Sequence, residues 1–189
     1  MVGAMLKLAQ YTPNTLPPHL KYQLLAAVRI EWAWVFTGAN RTWDYTQKAT
    51  HPQYFVISEQ DILISFIEVN QRVLHHADEL YRVYGLSAAY TYPAYRREGF
   101  GRQVLQAATN YIRASDADVA MLFCLPSLTN FYRASGWLPL PTATIWYGDP
   151  KQPSVNHKEF VMIQFVSHKG RQQQHTFAHQ PIYVGKYMW

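Results

Sequence analysis

The chain has 189 residues, 15% of them charged and 49% hydrophobic, including 14 tyrosines and 6 tryptophans, a composition that fits one globular domain and excludes a disordered chain. The formal net charge is +5, but the basic residues are scattered except around one turn, which disfavours nucleic acid as a partner, and no apolar run reaches the roughly 20 residues that span a bilayer. A single cysteine, Cys124, excludes an intrachain disulfide framework and suits a reducing cytoplasm, and residues 1–18 lack the basic start and apolar core of a secretory signal.

In chain order, residues 6–11 alternate weakly and predict a first strand. Pro13, Pro17 and Pro18 interrupt regular structure, and Pro18 suits the first turn of a helix. Leu20, Leu24, Leu25, Val28, Trp32 and Val35 recur at helical spacing and predict a helix over residues 19–34, followed by a polar loop over residues 37–52. Residues 54–58 and 62–69 read as a hairpin about Glu59, Gln60 and Asp61. Residues 73–77 and 80–92 read as two further strands around a turn at Ala77, Asp78 and Glu79.

Val104, Leu105, Ala108, Tyr111 and Ile112 then form one face of a second helix. Residues 119–125 read as a buried strand, and residues 127–134 as a short helix closed by Gly136. Residues 142–147 and 160–166 complete the strands, and residues 168–189 read as a tail that is aromatic-rich from residue 180 onward. The fold class expected is mixed α/β (α+β), one domain over residues 1–189, with a mostly antiparallel sheet of about seven strands flanked by helices.

Between the strand ending near Tyr92 and the second helix the chain reads Arg96-Arg97-Glu98-Gly99-Phe100-Gly101-Arg102. A strand that enters a helix through a glycine turn builds an anion site, because the first helical N–H groups lack partners and glycine lets a phosphate reach the backbone. The pattern is neither a P-loop nor a dinucleotide fingerprint. Taken alone it is equally a plain strand-to-helix turn. Downstream lies Asn130-Phe131-Tyr132-Arg133-Ala134-Ser135-Gly136-Trp137, an aromatic pair followed by glycine and a further aromatic.

Together these residues resemble the GCN5-related N-acetyltransferase (GNAT) superfamily. Thr91-Tyr92-Pro93-Ala94-Tyr95-Arg96-Arg97-Glu98-Gly99-Phe100-Gly101 is similar to its V-x-P-x-x-R-x-x-G-x-G motif, with Thr91 in place of valine. Phe131 to Trp137 is similar to its L-Y-x-x-x-G-F motif, in the same order and at the family's spacing. A narrower likeness, carried by Gly136-Trp137-Leu138-Pro139 and the tail to Trp189, is to aminoglycoside 2′-N-acetyltransferases. The 12 acidic residues, the positive charge and the non-acidic stretch Pro153 to His157 disfavour a polycationic sugar as substrate.

The resemblance implies direct transfer of an acetyl group from acetyl-CoA to a primary amine of a small molecule, in a ternary complex. It implies a pyrophosphate cradle of Arg96, Arg97, Glu98, Gly99, Phe100, Gly101 and Arg102. Ala89, Tyr90 and Thr91 would pair with the pantetheine arm and polarise the thioester. Tyr132 would be the acid for the leaving thiolate, and Glu68, on the strand before, the candidate base.

Cys124 reads as a small buried residue rather than a nucleophile. His168, His175 and His179 lack the Cys or acidic partners of a metal site, so no metal is expected. The tail is open to three readings: a lid on the acceptor pocket, a cover for an edge strand, or a surface pairing two copies as a homodimer. Two other functions remain in view, a non-catalytic acyl-CoA-binding or sensing module, and acetylation of a protein amine.

Overall fold

The computed structural model describes residues 6–44 and 50–189, so part of the loop expected at residues 37–52 lies outside the described residues. The described residues form ten strands and five α-helices: β1 (Leu6–Tyr11), α1 (Pro18–Glu31), β2 (Gln53–Glu59), β3 (Ile62–His76), β4 (Glu79–Thr91), α2 (Phe100–Arg113), β5 (Val119–Cys124), α3 (Thr129–Arg133), β6 (Leu138–Pro139), β7 (Ile145–Asp149), β8 (Gln152–Val155), β9 (Phe160–Phe165), α4 (His168–Gln172), α5 (Gln174–His179) and β10 (Ile182–Tyr183). Seven strands bond in the order β1-β2-β3-β4-β5-β9-β6, and three more in the order β10-β7-β8. In the larger sheet β4 and β5 run parallel, whereas β1–β2, β2–β3, β5–β9 and β6–β9 are antiparallel. The mixed, mostly antiparallel sheet expected from the sequence is the one found.

The chain forms two compact units, residues 1–69 with 88–108, and residues 70–87 with 109–189. In the first, the apolar stripe Leu20, Leu24, Ala27 and Val28 of α1 packs on Tyr54, Val56, Leu63 and Phe66 of β2 and β3. Burying such a stripe supplies about 1.5–3 kcal/mol per large side chain, far more than helix propensity alone. Helix α1 ends at Glu31, short of the residue 34 predicted by periodicity. Trp32 leaves helical geometry at φ −119° and stands edge-on to Tyr90, 6.4 Å between ring centres. A bulge follows in β3, where Ile57 pairs with Ser65 but Ser58 pairs with Leu63.

The second unit corrects the sequence reading of two separate strands over residues 62–77. They are one strand, β3, and its polar middle is held from three sides. Asn70 Nδ2 donates to Ser87 Oγ at 2.8 Å, and Gln71 Nε2 to the Tyr111 hydroxyl at 3.5 Å. Arg72 Nη1 donates to the carbonyls of Val184 (2.9 Å) and Tyr187 (2.7 Å). Polarity there marks partners rather than a break in the strand.

The core of this unit gathers Leu74, Tyr81, Val83, Val119, Met121 and Ile163 with Phe177 and Val184 from the last part of the chain. Residues 168–189 are thus not a loose tail. They hold α4 and α5, and β10 adds to β7 as a parallel strand, Ile182 opposite Ile145.

Candidate active site

In the first unit, β4 ends at Thr91, a 3-10 turn spans Pro93–Tyr95, and α2 begins at Phe100. Between them Arg97 and Gly99 take left-handed backbone angles, φ +69° and +90°. A Cβ built on Gly99 meets nothing within 4 Å, so glycine is needed here for its backbone angle and not for lack of room. The ring of Tyr95 braces the loop edge-on against Phe100, 6.3 Å between centres. Helix α2 is 14 residues long, and its first-turn N–H groups and positive dipole end face the loop.

The three arginines of the loop have different surroundings. Arg96 folds back: its Nε donates to the Thr91 carbonyl at 3.0 Å, its guanidinium lies 5.8 Å from the Tyr90 ring centre, and Nη2 stands 3.8 Å from Glu31 Oε2. Arg97 and Arg102 are exposed, as are Glu98 and Gly99, while Phe100 and Gly101 are half-buried. Arg96 therefore props the loop, and it stays exposed like Arg97 and Arg102, so that all three charges are open to solvent.

The end of β4 carries a feature with no sequence signal. Ala88 sits at φ +46° within the strand, and alanine has no preference for that region. Such a kink re-aims the strand's N–H and C=O groups, as bulges beside active sites do. Ala89, Tyr90 and Thr91 follow, all half-buried. Ser65, wholly buried, secures this end by donating to the Tyr90 carbonyl at 2.9 Å and sharing a 2.8 Å hydrogen bond with the Thr91 hydroxyl.

Glu68 lies on β3 directly opposite Tyr54 of β2, and both are 0% exposed. Burial, and after it the charge of Glu68, push the Tyr54 phenol well above its ordinary value. Trp32, Tyr90 and Tyr92 pack against the same cluster as Tyr54 and Phe66. Glu68 is therefore a charge beneath an aromatic surface, not a side chain open to solvent as a half-exposed strand position would be.

In the second unit β4 and β5 pair through Val83–Val119, Tyr84–Ala120 and Gly85–Met121, and there the ladder stops. Beyond it Leu86 and Ser87 of β4, and Leu122 to Cys124 of β5, run on without pairing to each other. Parted parallel strands leave backbone groups to be met by an extended ligand that adds like a strand.

Tyr132, in α3, is 7% exposed. Burial raises its phenol, and the neighbouring Cys124 sulfur adds to the shift. The Cys124 thiol is itself pushed up to about 11, by burial first and by Glu159 second. At neutral pH both groups keep their protons, so Tyr132 is in the state of an acid and Cys124 is no thiolate nucleophile.

Glu159, just before β9, is a carboxylate that sequence reasoning missed. It is half-buried, and burial raises its proton affinity. It precedes Phe160, which pairs with Cys124 across the β5–β9 ladder, a relationship the sequence alone does not show. His175 and His179 stack 4.3 Å apart, and no group of three or more metal-ligating side chains occurs among the described residues.

The family model described as Acetyltransferase (GNAT) domain matches residues 26–140. No curated protein matches the sequence. Among solved structures, Escherichia coli ElaA aligns with TM-score 0.59 and 17% identity over 85% of this chain and 99% of its own. A putative N-acetyltransferase from Lactobacillus plantarum aligns with TM-score 0.57 and 18% identity, over 86% and 99%.

An aminoglycoside 6′-N-acetyltransferase complexed with coenzyme A aligns with TM-score 0.61 and 12% identity, over 85% and 97%. At these identities the structures share the fold. The family match covers more than half of the chain, and the chain therefore belongs to the GNAT acetyltransferase domain family, a family of acyltransferases.

Proposed function

We propose that the protein is an acetyl-CoA-dependent N-acetyltransferase acting on a primary amine of a small molecule. The observation that carries this is the loop between β4 and α2: two left-handed residues, Arg97 and Gly99, feed a 14-residue helix, with Arg97 and Arg102 open to solvent. That combination fits a pyrophosphate, which takes hydrogen bonds from helix-start N–H groups and charge from arginine. Arg96 holds the loop to Thr91 and Glu31, and Glu98, Phe100 and Gly101 complete the turn. Ala89, Tyr90 and Thr91 line the pantetheine arm, and an N–H beside the Ala88 kink polarises the thioester carbonyl.

The amine nitrogen attacks that carbonyl carbon, the C–S bond breaks, and the sulfur takes the Tyr132 proton. The ammonium proton of the acceptor passes to Glu159, the carboxylate whose burial raises its proton affinity. Glu68, wholly covered, contributes its negative charge beneath the aromatic surface and so favours a cationic acceptor. One observation favours a second reading, an acyl-CoA-binding module without turnover: the sequence-named base, Glu68, is closed to solvent.

Release of free thiol from acetyl-CoA across a broad panel of small amines separates the two. Turnover on any amine supports the enzyme. CoA binding without turnover supports the module, and no binding of CoA defeats both.

A further inference from the structure

We propose that a cavity of the second unit, lined by Arg113, Gln164, Arg171 and Gln174, binds a phosphate monoester. The inference does not rest on the donor reading, and every residue it uses lies in that one unit.

The cavity has a volume of about 410 Å³, and no Asp or Glu lines it. Arg113, the last residue of α2, is fixed at its wall. Its Nε donates to Gln164 Oε1 at 2.9 Å and its Nη2 to the Ser135 carbonyl at 3.1 Å. Gln164 is only 6% exposed, and its Nε2 donates to the same carbonyl at 3.3 Å. Gly136 makes room for this arrangement. It takes a left-handed φ of +83°, and a Cβ there would fall on Arg113 Nη2. Arg171, of α4, is tied through Nη1 to the Val166 carbonyl. The two guanidiniums are thus anchored at Gln164 and Val166, two residues apart along one strand and its exit, or about 7 Å of extended chain.

Arginine carries five N–H donors, and these bonds use two on Arg113 and one on Arg171. The rest of both forks has no protein partner among the described residues, and both side chains are exposed. Asp118 does not answer them. Its carbonyl accepts from the Val166 and Ser167 N–H groups, and its carboxylate from the Arg82 N–H and the Ser167 hydroxyl. Two cations on one cavity without an acid repel each other. A dianion between them removes that repulsion and takes forked hydrogen bonds from both.

The charge selects the ligand class. A phosphate monoester brings about −1.5 to −2 at neutral pH, which matches two guanidiniums, whereas a carboxylate brings a single charge. The space is larger than a bare phosphate fills, and Leu138 and Phe165 in its lining suit an apolar body carrying the phosphate.

The test is calorimetric titration of the full chain with phenyl phosphate, inorganic phosphate and benzoate at one ionic strength. The wild type and Gly99→Asp are titrated side by side, so that binding at the glycine turn is separated from binding at the cavity. Phenyl phosphate should bind saturably to both chains. Inorganic phosphate, lacking the apolar body, and benzoate, lacking the second charge, should each bind more weakly, benzoate by at least about tenfold. Arg171→Met removes one fork, and Gln174→Glu sets a carboxylate in the wall at an exposed position that leaves the fold intact. Each should weaken phenyl phosphate at least about tenfold. No saturable binding by the wild type overturns the inference, and so does undiminished binding in Gln174→Glu or in Arg171→Met. Benzoate or inorganic phosphate binding as tightly as phenyl phosphate overturns the ligand class. Loss of all phenyl phosphate binding in Gly99→Asp places the phosphate at the glycine turn and overturns the site.

Discussion

Tyr54 and Glu68 face each other across the β2–β3 ladder, and neither is reached by solvent. Under the proposed function, this buried carboxylate beside a phenol and under an aromatic surface favours a cationic acceptor. Glu68→Gln keeps the shape and removes the charge. We expect it to raise KM for amine acceptors about tenfold, the effect of losing one attractive charge at a few ångström in a partly shielded site, with kcat and CoA affinity little changed. Steady-state kinetics on the best amine of the panel decides, and an unchanged KM would remove Glu68 from acceptor binding.

Gly99 has space around it but an unfavourable backbone angle for any other residue. Gly99→Ala should destabilise the fold by about 1 kcal/mol through that strain and weaken CoA modestly. Gly99→Asp adds a negative charge against the proposed pyrophosphate, and its CoA affinity should fall at least about a hundredfold. Calorimetry with CoA checks both, and normal binding by Gly99→Asp would place the phosphate elsewhere.

Tyr132 keeps its proton throughout the neutral range because burial raises its phenol. Tyr132→Phe should lower kcat by about 10- to 100-fold, near the low end for acid catalysis because a thiolate leaves readily, while CoA affinity holds. A variant with full kcat would make Tyr132 a packing residue.

Glu159 must be ionised to take a proton, and burial moves its pKa upward from the ordinary carboxylate range. Activity is therefore expected to fall as pH drops through a value above that range, and Glu159→Gln should abolish this acidic limb together with most of kcat. A pH profile of kcat with the limb intact in Glu159→Gln assigns the limb to another group.

Cys124 is held protonated, with its thiol at about 11 against an ordinary 9.0. Above pH 9 the unfolded chain loses this proton and the folded chain keeps it. The group's contribution to stability is thus full below that value and lost as pH rises toward 11. Alkylation by iodoacetamide at neutral pH should be slow in the folded protein and fast on denaturation. Cys124→Ser should flatten this part of the stability profile in alkaline thermal melts.

Much of the sheet was legible because its signals are local. The apolar runs of β2, β4, β5 and β9, the periodic face of α2 and the glycine turn each announce themselves within a dozen residues. What escaped depends on distant partners. Asn70, Gln71 and Arg72 read as a gap between strands because nothing nearby shows that Ser87, Tyr111, Val184 and Tyr187 hold them.

The same holds at the site. Arg96 reads as a phosphate ligand in the motif, and only the fold shows it turned onto Thr91 and Glu31. The kink at Ala88 has no residue signature, and Glu159 becomes notable only when β9 is set against β5. Helices α4 and α5 and strand β10 hid in a polar, histidine-rich stretch because few of their residues, Phe177 and Ile182 among them, turn inward.

The polar middle of β3 also orders events in time. Arg72 donates to carbonyls 112 and 115 positions later in the chain. Contacts so far apart in sequence slow a folding reaction, so this pairing closes late, after the stretch between its ends has been made.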